Sequence, residues 1–252
     1  MILPPEILDE ILEHIPAIEL QQPTFLACAL VATWWTEPSQ RRLFSLAIVT
    51  ESNHERWIKG VVLSRSKTRL LGYVRSLWYH RVQSFKDKYR MRDLAQDSAE
   101  YLSALCNLRS LTVQNTWVEH ISEEGYRSCF SAFRGTLTYL SLNSSVTSFS
   151  AFATLVDYFP DIRTLLLSSL TLKPDDGPVP TSSRPLRGKA HIHVQHHDLE
   201  FFDRLAELNP EYEELVIDAI YHQPGGRSLK RILRISPNTV KILRLVAQLS
   251  RE

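Results

Sequence analysis

A six-residue pattern, apolar-x-x-Leu-x-apolar, recurs along the chain from residue 74 onward. It appears at Val74–Tyr79, Leu108–Val113, Leu137–Leu142, Ile162–Leu167, Tyr212–Ile217 and Val240–Leu245. The first positions are 34, 29, 25, 50 and 28 residues apart, and a degenerate copy at Leu186–His191, followed by Ile192 and Val194, divides the 50 into 24 and 26. Alternation of this kind puts every second side chain on one face of a short strand, so about seven strands are predicted. Between them apolar residues recur at helical spacing. One run is Leu94, Tyr101, Leu102 and Leu105; the next is Tyr126, Cys129, Phe130 and Phe133. A third joins Phe149, Phe152, Leu155, Val156 and Phe159, and a fourth Leu199, Phe201, Phe202, Leu205 and Leu208. The last holds Leu229, Ile232, Leu233 and Ile235, and Pro160, Pro210 and Pro237 end the final three. Strand then helix at such a period predicts an α/β chain of stacked repeats over residues 73–252, with a parallel sheet covered by helices on one side.

Residues 1–47 follow a different pattern. Pro4 and Pro5 suit the first turn of a helix, and Glu6 favours its positive end. Ile7, Leu8, Ile11, Leu12 and Ile15 make a broad apolar stripe that Pro16 ends. Pro23 marks a second start, with Phe25, Leu26, Ala29 and Leu30 on one face. Thr36 suits a third N-cap, with Pro38 in the first turn and Leu43 and Phe44 pointing inward. Three short helices cannot hide this much apolar surface alone, so the remainder meets the rest of the chain or a partner.

These residues resemble the F-box motif. The family opens Leu-Pro-x-Glu-Ile/Leu-Leu, matched by Leu3, Pro4, Glu6, Ile7 and Leu8, and closes near Val-Cys-Arg/Lys-x-Trp, matched by Val31 and Trp35. Ala32 stands at the usual cysteine and Thr33 at the usual basic residue. The repeats resemble the irregular leucine-rich repeats that follow the box in fungal, basidiomycete-type F-box proteins, with Asn115 and Asn143 near the consensus turn asparagine. The resemblance implies an F-box over 1–47, a helical connector over 48–72 and a leucine-rich-repeat solenoid over 73–252. It implies a substrate-recognition adaptor of an SCF-type (Skp–cullin–F-box) ubiquitin ligase, in the cytoplasm or nucleus, which is not itself an enzyme. Leu3, Pro4, Ile7, Leu8, Ile11, Leu12, Leu30, Val31 and Trp35 would then bind the Skp-family linker protein. The alternative is a protein-binding scaffold outside any ligase.

Strand alternation sends the residues between the repeat anchors to an open face. Trp78, His80, Thr112, Gln114, Tyr139, Asn143, Leu166, Glu214 and Arg244 form the expected target-binding face. Trp57, Ile58, Val61, Val62 and Leu63 are expected to pack the helices against the first strand. Residues 80–91 and 173–185 read as surface loops, the second from its prolines. Only six residues follow Val246, so an open edge is expected there, covered by a partner, a second copy or a longer gene product.

Composition narrows the chemistry. With 29 basic and 28 acidic residues, no nucleic-acid partner is implied, and the basic stretch Lys86–Arg90 reads as a solvated loop. Cys28, Cys106 and Cys129 lack CxxC spacing and read as buried thiols. No stretch has the length of a membrane span, and no signal peptide is expected. His191, His193, His196 and His197 cluster, but their spacing fits no closed zinc site. The turn Pro224–Arg227 lacks the lysine of a phosphate loop, and no G-x-S-x-G elbow occurs. Neither metal, cofactor nor catalytic residue is assigned.

Overall fold

The structure is a computed structural model and describes residues 4–14, 18–50, 52–57, 59, 67–80, 102–115, 123–144, 146–173, 185–194, 199–221 and 240–249. Three helices come first: α1 (Pro5–Glu13), α2 (Ile18–Val31) and α3 (Thr33–Leu43). α1 and α2 both pack against α3. Two expectations move here. Pro23 lies inside α2, five residues past its start, and Pro38 lies inside α3. Thr36 is not an N-cap: α3 begins at Thr33, and the Thr36 hydroxyl donates to the carbonyl of Ala29 at 3.1 Å. Only the extended Ala32 separates the two helices. The hydroxyl therefore serves a carbonyl in the last turn of α2, which the helix leaves open.

The sheet begins at once. Its eight strands are β1 (Leu46–Thr50), β2 (Ser76–His80), β3 (Ser110–Gln114), β4 (Tyr139–Asn143), β6 (Thr164–Ser168), β8 (Arg187–Val194), β9 (Glu211–Tyr221) and β10 (Ile242–Leu249). They neighbour one another in that order, and every pair is parallel. Parallel neighbours need a return path. Short helices α4 (His54–Trp57) and α5 (Lys67–Leu71) lie on the first return, followed later by α6 (Glu123–Phe130), α7 (Phe149–Tyr158) and α8 (Leu199–Glu207). A second, two-stranded sheet pairs β5 (Val146–Ser148) with β7 (Thr171–Lys173) along two of these returns. The fold is thus α/β with a parallel sheet.

β1 brings the count to eight where the repeat predicts about seven. Ala47 holds the place of the anchoring leucine, so the pattern is weak there, yet Ala47 and Val49 are as buried as the anchors of β2. The strand falls within the stretch expected to close the helical unit and open the connector. In that stretch α4 carries Trp57, whose side chain packs partly buried on the core. Ile58, Val61, Val62 and Leu63 lie outside the described residues.

One continuous core fills the closed side of the sheet. Leu77, Leu111, Leu140, Leu165, Leu215 and their partners two residues on are buried against the helices. Phenylalanines bridge successive layers: Phe133 stacks on Phe159 at 5.7 Å, and Phe201 meets Phe149 and Phe152 at 5.9 and 5.8 Å. After β3, β4 and β6 the chain turns through a residue of positive φ: Asn115, Ser144 and Ser169. Asparagine adopts that region more readily than most residues, and the Asn115 side chain also reaches the His80 ring at 3.2 Å.

β8 departs from its expected register. The copy Leu186–His191 would put Lys189 at the leucine anchor. Instead β8 pairs with β6 one residue off the repeat, so Ala190 and Ile192 align with Leu165 and Leu167 and are buried; against β9 the register slips between Gly188 and Lys189, where β9 carries the extra residue Glu213. Lys189 turns to the open face. Gly188 has φ 89°, and a Cβ there would lie 2.2 Å from the Arg163 carbonyl oxygen. Only glycine fits. The one-residue offset spares the core a lysine.

Candidate functional site

Two surfaces carry exposed apolar or chemically active side chains. The first is the helical unit. Leu30 is 87% exposed and Val31 72%, and Leu26, Ile7 and Ile11 are also exposed. Pro4 is exposed ahead of α1. Trp35 is half-buried beside Trp34, with ring centroids 5.6 Å apart. Leu12 does not share this surface; it is buried and supports α1 from within. Leu3 lies outside the described residues, as does the side chain of Leu8. A chain of polar contacts ties the helices to the sheet: Glu37 on α3 pairs with Arg41 at 2.8 Å and with Arg69 on α5 at 3.5 Å, and accepts a hydrogen bond from Tyr73 at 3.4 Å. These cations, Arg41 first, hold the Glu37 carboxyl below its ordinary range.

The second surface is the open face of the sheet. Register aligns it into three columns of eight. The first runs Leu46, Ser76, Ser110, Tyr139, Thr164, Lys189, Glu214, Ile242. The second runs Ile48, Trp78, Thr112, Ser141, Leu166, His191, Val216, Arg244, and the third Thr50, His80, Gln114, Asn143, Ser168, His193, Asp218, Val246. All nine residues expected on the target-binding face fall in these columns. Trp78, 52% exposed, is flanked by exposed Ile48 and Leu46. Ser141 is buried at the centre. The β8–β9 end is charged and paired: Lys189 meets Glu214 at 2.7 Å, and His191 Nε2 lies 2.7 Å from Asp218 Oδ2. The Lys189 ammonium, hydrogen-bonded to Glu214, pulls that carboxyl below its ordinary range. Leu46, Ile48 and Lys189 belong to this face although sequence reasoning does not place them there. β1 lacks a leucine anchor, and β8 sits one residue off the repeat.

The sheet's two edges differ. β1 turns Ile48 C=O and Thr50 N–H outward, since Ser45 C=O points to β2, where it accepts from Ser76 N–H. Asn53 meets these two groups: its side-chain oxygen accepts from Thr50 N–H at 2.7 Å, and its amide donates to Ile48 C=O at 2.8 Å. At the other end, among the described residues, β10 pairs with β9 alone, and Leu243 is 39% exposed where its register partner Leu215 is buried.

The histidine cluster divides. His191 and His193 sit on the open face, while His196 and His197 lie outside the described residues. Among the described residues no group of three ligand-type side chains could hold a metal ion. None of the three cysteines is in a disulfide. Cys106 is exposed rather than buried, because it sits in the turn before β3 and not on a helix face. Among the described residues no helix is long and apolar enough to cross a membrane. Compared with known families and with curated proteins, the chain matches no family model and no curated sequence.

Proposed function

We propose that this chain recruits target proteins to an SCF-type ubiquitin ligase. Residues 1–47 act as an F-box that docks a Skp-family linker protein, and the sheet acts as an irregular leucine-rich-repeat solenoid whose open face holds the target. The observation that carries this reading is the exposed apolar end of α2. Leu26, Leu30 and Val31 lie bare on a helix that is joined to the sheet by α3. Aliphatic groups so exposed, beside the half-buried Trp35, are what a partner helix would cover. The family residues Leu3, Pro4, Ile7, Leu8, Val31 and Trp35 belong to the same unit. The adaptor needs no catalytic residue, since it works by raising the effective concentration of target at the ligase. Such a role belongs to the cytoplasm or nucleus.

The test is binding of a purified Skp-family linker protein by calorimetry. The wild-type chain binds, and Leu30→Asp and Trp35→Ala each weaken binding by about 2 kcal/mol or more, as anchor residues do. Leu30 is exposed enough that its replacement leaves the fold intact. No binding by the wild type, or equal binding by both variants, returns the chain to the scaffold reading.

A further inference from the structure

The residue just before each strand forms a row along the start of the sheet. Its register is explicit: Ser76 N–H donates to Ser45 C=O, Ser110 to Arg75, Tyr139 to Arg109, Thr164 to Thr138 and Lys189 to Arg163. The row therefore reads Ser45, Arg75, Arg109, Thr138, Arg163. With neighbouring strands about 4.8 Å apart, Arg75 and Arg109 are adjacent and Arg163 lies about 10 Å further on. All three arginines are exposed. Among the described residues none of the three forms an ion pair; Arg75 makes a single long hydrogen bond, 3.4 Å, to Asn107 C=O. Asp161, two residues before Arg163, is not paired with it.

The far end of the sheet behaves differently. There Arg187 pairs with Glu211 at 2.9 Å, Lys189 with Glu214 at 2.7 Å and Lys241 with Glu213 at 3.2 Å. Each cation has a carboxylate on the next strand. Like charges side by side on adjacent strands repel, so the arginine row leaves uncompensated what the other end compensates. Beside it a recess of about 600 Å³ is lined by Arg41, Arg42, Ser45, Gly72, Tyr73 and Arg75. Arg41 and Arg42 carry Glu37 and Glu13, so the recess extends the row rather than anchoring it.

We propose that this rim binds an extended stretch of a partner polypeptide rich in oxyanions, laid across the strand starts from β2 to β6. The three arginines span about 14 Å, roughly four extended residues, and an extended chain presents same-side groups every ~7 Å. Anions at i, i+2 and i+4 match that span. Guanidinium takes carboxylate or phosphate through two parallel hydrogen bonds. The inference does not rest on the F-box reading, because the three arginines belong neither to the exposed apolar end of α2 nor to the columns of the open face.

The probe is a fluorescent eight-residue peptide with glutamates at i, i+2 and i+4, read by anisotropy at low and high salt. A second peptide carries phosphoserine at the same positions, and a third carries glutamine. The full-length chain binds the first two and not the third, and affinity falls as salt rises. Arg75→Gln, Arg109→Gln and Arg163→Gln combined weaken binding about tenfold or more, while Arg187→Gln with Lys241→Gln changes nothing. Tighter binding of the phosphorylated peptide identifies phosphate as the source of the oxyanions, and equal binding identifies carboxylate. Wild-type binding of neither charged peptide overturns the proposal. So does equal affinity in the triple variant, or an equal loss in the control. Circular dichroism and the melting point, unchanged for these exposed substitutions, separate lost binding from lost fold.

Discussion

Adding one methyl group at Gly188 tests the register of β8. In Gly188→Ala the backbone must hold φ 89° with a Cβ attached, which costs about 1–3 kcal/mol in so sparsely populated a region. The new Cβ would stand 2.2 Å from the Arg163 carbonyl oxygen, and the obstacle is backbone, which cannot rotate aside. Either β8 moves off β6 or it slips by one residue against β6. Moving off breaks the 2.8 Å bond from Lys189 N–H to that same carbonyl, worth about 1 kcal/mol net. A slip by one turns Lys189 into the core and Ala190 out of it, which is worse. The expected loss is about 3 kcal/mol or more. Gly135→Ala is the control: nothing lies within 4 Å of its Cβ, and a neutral change or a gain of about 0.4–1 kcal/mol is expected. Equilibrium urea unfolding followed by circular dichroism and by tryptophan fluorescence measures both. Stacked repeats do not always unfold in one step, so the two probes are compared before a midpoint is converted to energy. Equal midpoints for the two variants would refute the close approach at Gly188 as the determinant of register.

Two further outcomes follow from other contacts. Asn53→Ala removes the two hydrogen bonds on the outer edge of β1 and is expected to cost about 1–2 kcal/mol. It also bares a strand edge, so self-association that grows with concentration should appear in sedimentation; a monomer of unchanged stability would show that the side chain is incidental. Glu214 has its carboxyl held low by Lys189, so it contributes stability that is present above its ordinary value of 4.5 and is lost as pH falls through the lowered one. Urea midpoints between pH 5 and 2 should therefore fall more steeply for the wild type than for Glu214→Gln, and parallel curves would exclude the pairing as a source of acid lability.

The sheet was legible because its anchors are large and periodic. Leucine at the fourth pattern position and an apolar residue at the sixth mark β2, β3, β4, β6, β9 and β10, and burial in the first five follows the pattern. Sequence reasoning failed where small or special residues replaced large ones. β1 keeps alternation but offers Ala47 and Val49, too little volume to stand out. β8 keeps its alternation but sits one residue off the repeat, and the clue is Gly188, whose need for positive φ is invisible without the neighbouring carbonyl. The two prolines inside α2 and α3 misled because proline usually marks a helix start. Here Pro38 lies buried inside α3. On the open face alternation alone placed all nine expected residues, because side chains two apart on a strand share a face whatever their chemistry.

The geometry also decides how a partner would approach. An open edge invites strand addition, which is indifferent to most side chains. At β1 Asn53 obstructs that route, since it already meets two of the outward groups an added strand would need, Thr50 N–H and Ile48 C=O. Recognition near β1 is thereby steered to side chains, and those available are Leu46, Ile48 and Trp78, exposed and uncharged. At the β8–β9 end of the same face Lys189 and Glu214 form an ion pair across strands, and His191 meets Asp218 beside it. A partner there must trade one ion pair for another, which yields little affinity but rejects mismatched charge. A target lying across this face would thus gain most of its affinity from an apolar anchor over Trp78. The charged end would fix which way round it lies. On the proposed reading the apolar end is the one nearest the helical unit, so the firmest grip on a target would fall close to the ligase.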